Sequence, residues 1–202
     1  GKTDVRIRYN TNFSHMIYKK INVLDLWPKF ESVSVGASLD AHSKAGEYIR
    51  KGTVWRDIIK NRQNMIRKVP NADFFITCTV SVLNSFRIIE LHKYLVQNGL
   101  ISHPRQMHLN FVQDPKYLRI QILPKHLKQK ATILYKEYAD ILRKKDCKSL
   151  ADNFIALIDF MNSNDGTIYI KKFQEKQKKI DLIRQENFVE VLPELCELYW
   201  DE

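Results

Sequence analysis

The stretch that most constrains the fold is "DFFITCTVSVL", residues 73 to 83. Its apolar and β-branched side chains run almost without interruption, the pattern of a strand buried on both faces of a parallel sheet. Three further runs have strand character. "DVRIRYNT" (4–11) alternates Val5, Ile7 and Tyr9 on one face, "SVSVGASL" (32–39) is short and branched, and "QMHLNFVQ" (106–113) alternates Met107, Leu109 and Phe111. A fifth strand, "YLRIQIL" (117–123), is expected after a turn at Asp114-Pro115.

Helical patterns separate these runs. "TVWRDIIKNRQNMIRKV" opens at Thr53 as N-cap and places Trp55, Ile59 and Ile66 on one stripe. Before it, a polar loop follows Ser38-Leu39-Asp40 and leads to Arg50, Gly52 and Trp55. "NSFRIIELHKYLVQNGL" opens at Asn84, turns Ile88, Leu91, Leu95 and His92 inward, and closes on Asn98-Gly99-Leu100. Three more helices follow. "LPKHLKQKATILYKEYADILRKK" has proline in its first turn. "SLADNFIALIDFMNS" is capped by Ser149, with Phe154, Leu157, Ile158 and Met161 inside. "IYIKKFQEKQKKIDLIRQENF" starts apolar and becomes helical. Strand, helix, strand in alternation implies parallel pairing through right-handed crossovers, in an open sheet or part of a (β/α) barrel.

The chain has 202 residues, 44% of them apolar, enough for a substantial core. No apolar run approaches the roughly 18–20 residues of a membrane span, and "GKTDVRIRYN" has no signal-peptide core. Cys78, Cys147 and Cys196 lie far apart and form no CxxC pair, which fits a reducing cytoplasm. The net charge of +10 is uneven. Residues 124–148 carry eight Lys/Arg against three Asp/Glu, and 171–185 carry six against two. Such helices present either a solvated face or a phosphate-binding surface, with Lys125, Lys128 and Lys130 as candidate anion ligands. No zinc finger, RNP-like strand or recognition helix accompanies them.

In parallel α/β folds, ligands gather at the carboxyl ends of the strands. Here those ends read Asn10-Thr11-Asn12, Ser38-Leu39-Asp40, Ser81-Val82-Leu83-Asn84 and Gln113-Asp114. All are polar and suit a ligand such as a nucleoside, although the same residue types cap helices and turns. There is no GxGxxG, no phosphate loop and no GxSxG elbow. His103 and His108 are five apart, but no third metal ligand is implied. Cys78 reads as an inert buried thiol and His92 as a core histidine.

Four segments together resemble the later part of a radical S-adenosylmethionine domain. "VRIRYNTN" resembles that family's "TNG" strand, and "VSVGASLDAH" with "YIRKGTVW" resembles its "SLDG…R…W" stretch. "FFITCTVSVLNSFRIIELHKYLVQNGL" resembles the next strand and helix, and "QMHLNFVQDPKYLRIQILP" the strand after that. The tail, with "KIDLIRQENFVEVLPELCELY", resembles the shortened extension known as a twitch domain.

The resemblance implies a partial (β/α) barrel with parallel strands over residues 1–124, followed by a basic, mostly helical C-terminal extension over 125–202. It implies that S-adenosylmethionine binds at the open top. Ser38 and Asp40 would face its ribose and amino acid part, and Arg50 would pair with its carboxylate. Asn84 and the backbone near Leu83 would line adenine or ribose, with Asn10 and Asn12 at the floor of the mouth. The 4Fe–4S cluster of that family needs a CxxxCxxC loop, which this chain lacks, as it lacks the glycine-glycine-glutamate segment. Ala41 stands where the family has glycine. Reductive cleavage would therefore require the missing N-terminal half or a second polypeptide; otherwise the domain has lost its cluster and kept another role. The alternative expectation is a basic α/β module that binds nucleic acid or a phosphorylated partner without catalysis.

Overall fold

A computed structural model describes residues 4–199. Strand β1 (Arg6–Thr11) leads through a small hairpin, β2 (Ile17–Tyr18) and β3 (Ile21–Asn22), to the one-turn helix α1 (Val23–Leu26). Strand β4 (Ser32–Ser38) is followed by α2 (Ser43–Ile49) and α3 (Trp55–Lys68). Strand β5 (Asp73–Val80) is followed by α4 (Ile88–Gln97) and then β6 (Met107–Phe111). The C-terminal part consists of α5 (Lys125–Lys144), α6 (Lys148–Asn162), α7 (Ile170–Arg184) and the short α8 (Phe188–Val191). The four longer strands form one sheet in the order β1–β4–β5–β6, parallel throughout. This is the α/β fold with a helical C-terminal part that the alternating pattern requires.

Register decides which side chains meet the helices. Val33, Val35 and Ala37 of β4, Phe74, Ile76, Cys78 and Val80 of β5, and Met107 and Leu109 of β6 are buried on one face. The helical layer packs there: the Arg62 guanidinium of α3 sits 3.9 Å from the Phe74 ring centroid, and Phe111 stacks on Phe160 of α6 at 5.3 Å. The opposite face carries Arg8, Asn10, Ser34, Ser38, Phe75, Thr77, Thr79, His108 and Asn110, and none of these is buried. So β5 is buried on one face and not on two, as its composition suggested. Phe75, Thr77 and Thr79 are half-buried, on the side of the sheet away from the described helical layer. A parallel sheet bare on one face is unusual, since its crossovers normally cover both.

The two sheet edges differ. At the outer side of β6 the Leu109 N–H donates to Asn153 Oδ1 of α6 at 3.4 Å, so a helix guards that edge. The other edge is β1, with Arg6 and Arg8 exposed along it.

Residues 117–123 do not form the expected fifth strand. They make two 3₁₀ turns, Lys116–Leu118 and Ile120–Ile122, with Ile120, Ile122 and Leu123 buried. The chain here satisfies its amides locally, Leu118 N–H donating to the Pro115 carbonyl and Leu123 N–H to that of Ile120. Pro115 and Pro124, which donate no ladder hydrogen bond, frame the segment.

Helix starts also differ from expectation. Helix α2 forms where a polar loop was expected. Helix α3 begins at Trp55 after Val54, not at Thr53, and Glu47 caps it by accepting the Trp55 N–H at 2.6 Å. Its buried stripe is Trp55, Ile58, Arg62 and Met65, while Ile59 is half-buried and Ile66 exposed. Arg62 can join that stripe because its Nε donates to the Leu100 carbonyl at 2.7 Å. Asn84 lies in a 3₁₀ turn ahead of α4, and Cys147, not Ser149, precedes α6. The inner faces expected for α4 and α6 are as read, His92 included. Helix α4 ends with Gly99 at φ +62, Leu100 N–H returning to the Leu95 carbonyl and Gly99 N–H to that of Val96. That pattern needs a left-handed residue, which glycine adopts without strain.

The C-terminal helices share the core of the sheet domain: Tyr135 of α5 donates to the Ser85 carbonyl, and Tyr48 of α2 donates to Asp181 of α7 at 2.6 Å. None of the described helices is long and apolar enough to cross a membrane.

Candidate functional site

At the carboxyl end of β4 the chain turns at Asp40, whose side chain is almost wholly enclosed. One carboxylate oxygen accepts the Arg50 Nε at 2.7 Å, and the other accepts the Thr79 N–H at 2.8 Å. Strand pairing between β4 and β5 stops at Ser38 and Thr77, so Thr79 has lost its ladder partner on this side. Asp40 supplies the missing acceptor and thereby fixes the guanidinium that ends α2. Neither Nη of Arg50 has a partner among the described residues, and its side chain is 30% exposed. The arrangement is a guanidinium anchored by one nitrogen with its fork left for an anion.

Asn84 completes this corner from inside. It is fully buried; its amide donates to the Asp40 carbonyl at 2.9 Å and the Thr79 carbonyl at 3.1 Å, and its oxygen accepts the Ser81 N–H at 2.7 Å. Its hydrogen-bonding capacity is spent on the protein, so it positions the strand ends and offers no group to a ligand.

Asn10 and Ser38 lie on the bare face. Asn10 stands opposite Gly36, and Ser38 opposite Thr77. A Cβ at Gly36 would come within 2.7 Å of Asn10 Oδ1 and 2.8 Å of the Phe75 ring, so glycine makes room for both to close over the strand. Asn12 follows β1 and is exposed, its Oδ1 accepting the Ser14 N–H at 3.2 Å. The structure thus brings Asp40, Arg50 and Asn84 into one network and puts Asn10 and Ser38 on one face. It leaves Asn12 in a local turn.

The centre of that face holds residues the sequence reading did not single out. Arg8 lies over the Phe75 ring at 5.5 Å, and His108 meets the same ring edge-on at 5.4 Å. Thr77 and Thr79 extend the row toward Asp40. The signal was the second half of a period-2 pattern, Phe75-Thr77-Thr79, hidden by the apolar residues between them.

The lysine trio divides. Lys125 and Lys130 are exposed, but Lys128 is turned inward, its Nζ donating to the Asn164 carbonyl at 2.8 Å, and burial lowers its pKa. His92 is a core histidine: its two ring nitrogens meet Tyr138 OH at 2.6 Å and the Pro104 carbonyl at 2.8 Å. Burial raises the Cys78 thiol well above its ordinary pKa, which makes it inert. Cys78, Cys147 and Cys196 sit on separate elements, and among the described residues no three His, Cys, Asp or Glu side chains gather as a metal site. The described cysteines therefore do not fit an iron–sulfur cluster.

No protein family matches this sequence, and no curated protein or solved structure matches it significantly.

Proposed function

We propose that this chain is the cofactor- and substrate-side part of a radical S-adenosylmethionine enzyme of the cytoplasm. The observation that carries the reading is the bare, polar face of a parallel sheet, with Asn10 and Ser38 on it and the Asp40–Arg50 pair at its carboxyl end. A face of that kind suits the inside of a barrel whose remaining strands come from elsewhere. In this reading Arg50 offers its fork to the carboxylate of S-adenosylmethionine, while Asp40 holds the guanidinium in place. Asn10 and Ser38 present hydrogen-bonding groups from the sheet. S-adenosylmethionine would supply a reactive sulfonium when bound. The three cysteines sit on separate elements, so reductive cleavage is not assigned to these residues.

The test is genetic and biochemical. The reading frame ahead of Gly1, or a companion polypeptide, must encode a CxxxCxxC segment. With that segment restored, Arg50→Gln should raise the dissociation constant for S-adenosylmethionine about tenfold or more. Absence of any such segment in the gene or in a co-purifying chain overturns the reading.

A second reading has its own observation. Helix α7 exposes Lys171, Lys172, Lys176 and Lys179 on its outer side. A basic helical face of this kind suits the phosphates of a nucleic acid or of another phosphorylated partner. Replacing Lys172, Lys176 and Lys179 by glutamine should then abolish salt-sensitive retention of nucleic acid.

A further inference from the structure

We propose that the bare sheet face is a binding platform for single-stranded nucleic acid, with an unpaired base stacked at Phe75. The inference rests on the fold and not on the cofactor reading, because its central residues, Arg8, Phe75 and His108, lie in the amino-terminal halves of their strands, whereas Asp40 and Arg50 stand beyond the carboxyl end of β4.

Among the described residues of this face, Phe75 is the one phenylalanine, and it is only partly covered. It lies in the middle of the sheet, with Arg8 above its face and His108 at its edge. A base, which always offers a π-face, would stack on the ring by displacing Arg8 from over it and leave the guanidinium free to meet a phosphate. Around the ring stand uncharged hydrogen-bonding groups: Asn10 and Ser38 toward β1 and β4, Thr77 and Thr79 along β5, Asn110 on β6. Asn and Ser/Thr side chains read base edges without demanding one sequence. Arg8 lines the open β1 edge, where a phosphate backbone would run, while Arg6 beside it is paired with Glu31 at 3.1 Å; the chain's net charge is +10.

The same composition argues against a protein occupant. A protein partner would have to desolvate eight or so polar side chains to cover one phenylalanine, and each poorly matched polar group would count against binding. Nucleobases match polar groups at their edges and the ring at their faces. Asp73, at the start of β5 on the same face, accepts the Ser34 hydroxyl at 2.9 Å and keeps its charge, so the phosphates would run on the β1 side, along Arg8.

The experiment is fluorescence anisotropy of the chain with a labelled oligouridine octamer and its oligothymidine counterpart, at about 50 and 200 mM salt. The parent protein is expected to bind at least one of them. Phe75→Leu, which keeps apolar bulk but removes the ring, should weaken binding about fivefold or more. Arg8→Gln should weaken binding to both oligonucleotides and lower the salt slope by about 0.7. Circular dichroism checks that each variant is folded. Tighter RNA binding assigns RNA and tighter DNA binding assigns DNA; either supports the platform. Failure of the parent to bind both octamers at low salt overturns it. So does unchanged binding by Phe75→Leu when the Lys172/Lys176/Lys179→Gln variant loses it. Loss of S-adenosylmethionine binding in Arg50→Gln, with octamer binding intact, separates the two proposals and supports this one.

Discussion

Asp40 holds Arg50 at 2.7 Å with one carboxylate oxygen and closes the end of β5 with the other, so the candidate anion ligand and the end of the β-ladder share a single residue. Removing Asp40 should therefore cost more than removing Arg50. Asp40→Ala leaves the Thr79 N–H unsatisfied and a half-enclosed guanidinium without its partner, a loss of about 1–3 kcal/mol. Arg50→Gln removes a partly solvated cation and should cost under about 1 kcal/mol. Asp40→Asn keeps an acceptor for Thr79 and should fall between them. Urea unfolding of the three variants checks the order; equal losses from Asp40→Ala and Arg50→Gln would show that the Thr79 contact contributes nothing.

His92 joins α4, the Pro104 loop and α5 while uncharged, and burial holds its pKa below the ordinary 6.5. In the unfolded chain the imidazole takes up a proton as pH falls through about 6.5, whereas the folded chain resists doing so. The unfolded state therefore binds more protons in that window, and stability falls with pH by at most about 1.4 kcal/mol per unit. The contribution is fully present above about pH 7 and is lost as pH drops through the folded value. Urea midpoints at about pH 7.5, 6 and 5 should decline more steeply for the parent than for His92→Gln, although the variant starts lower. Parallel declines would remove His92 as the cause.

Much of the fold was legible because two periods, 2 and 3.6, alternate along the chain. The four sheet strands and the inner faces of α4 and α6 follow from those periods directly. What misled was local. Ile120 and Ile122 alternate as a strand would, but they are buried by turning inward between two prolines, a tertiary outcome that period alone does not distinguish. Arginine reads as solvated, so the sequence alone gives Arg62 no place in the stripe of α3; the Leu100 carbonyl and the Phe74 ring, distant in sequence, make its burial tolerable. At the strand ends, residue type revealed polarity but not allegiance. Asp40 and Asn84 look alike in sequence, yet one anchors a partly free arginine while the other spends every group on the backbone.

Gly36 tests the packing of the bare face. A methyl there would stand 2.7 Å from Asn10 Oδ1 and 2.8 Å from the Phe75 ring, closer than such atoms sit. Gly36→Ala should move both side chains and cost about 1–3 kcal/mol, as overpacking does. NMR would show the disturbance as shifts in the Phe75 ring and Asn10 side-chain amide. A variant as stable as the parent with both resonances unmoved would mean that the two side chains give way freely.

Asp181 of α7 is where the helical extension is fastened to the sheet domain. Its oxygens accept Tyr48 OH at 2.6 Å, Tyr199 OH at 2.8 Å and the Phe188 N–H at 2.9 Å, and Gln177 also bonds to Tyr48. Burial, reinforced by the bonds to Asp181, raises the pKa of both tyrosines, Tyr199 to about 12. Asp181→Ala removes the acceptor for all three donors, and the buried ones keep no substitute, so a loss of about 2–4 kcal/mol is expected from two or more unmet donors. Because Tyr48 and Phe188 lie on α2 and α8, the damage should concentrate at that junction. Limited proteolysis should cut between α7 and the C-terminus of Asp181→Ala before the sheet is attacked. Tyr48→Phe leaves Asp181 with two of its three donors and should cost less, about 1 kcal/mol. Cleavage that begins instead in β1 or the hairpin at 17–22 would show that the extension is held mainly by its apolar packing, with Phe173 and Phe188 as its buried anchors.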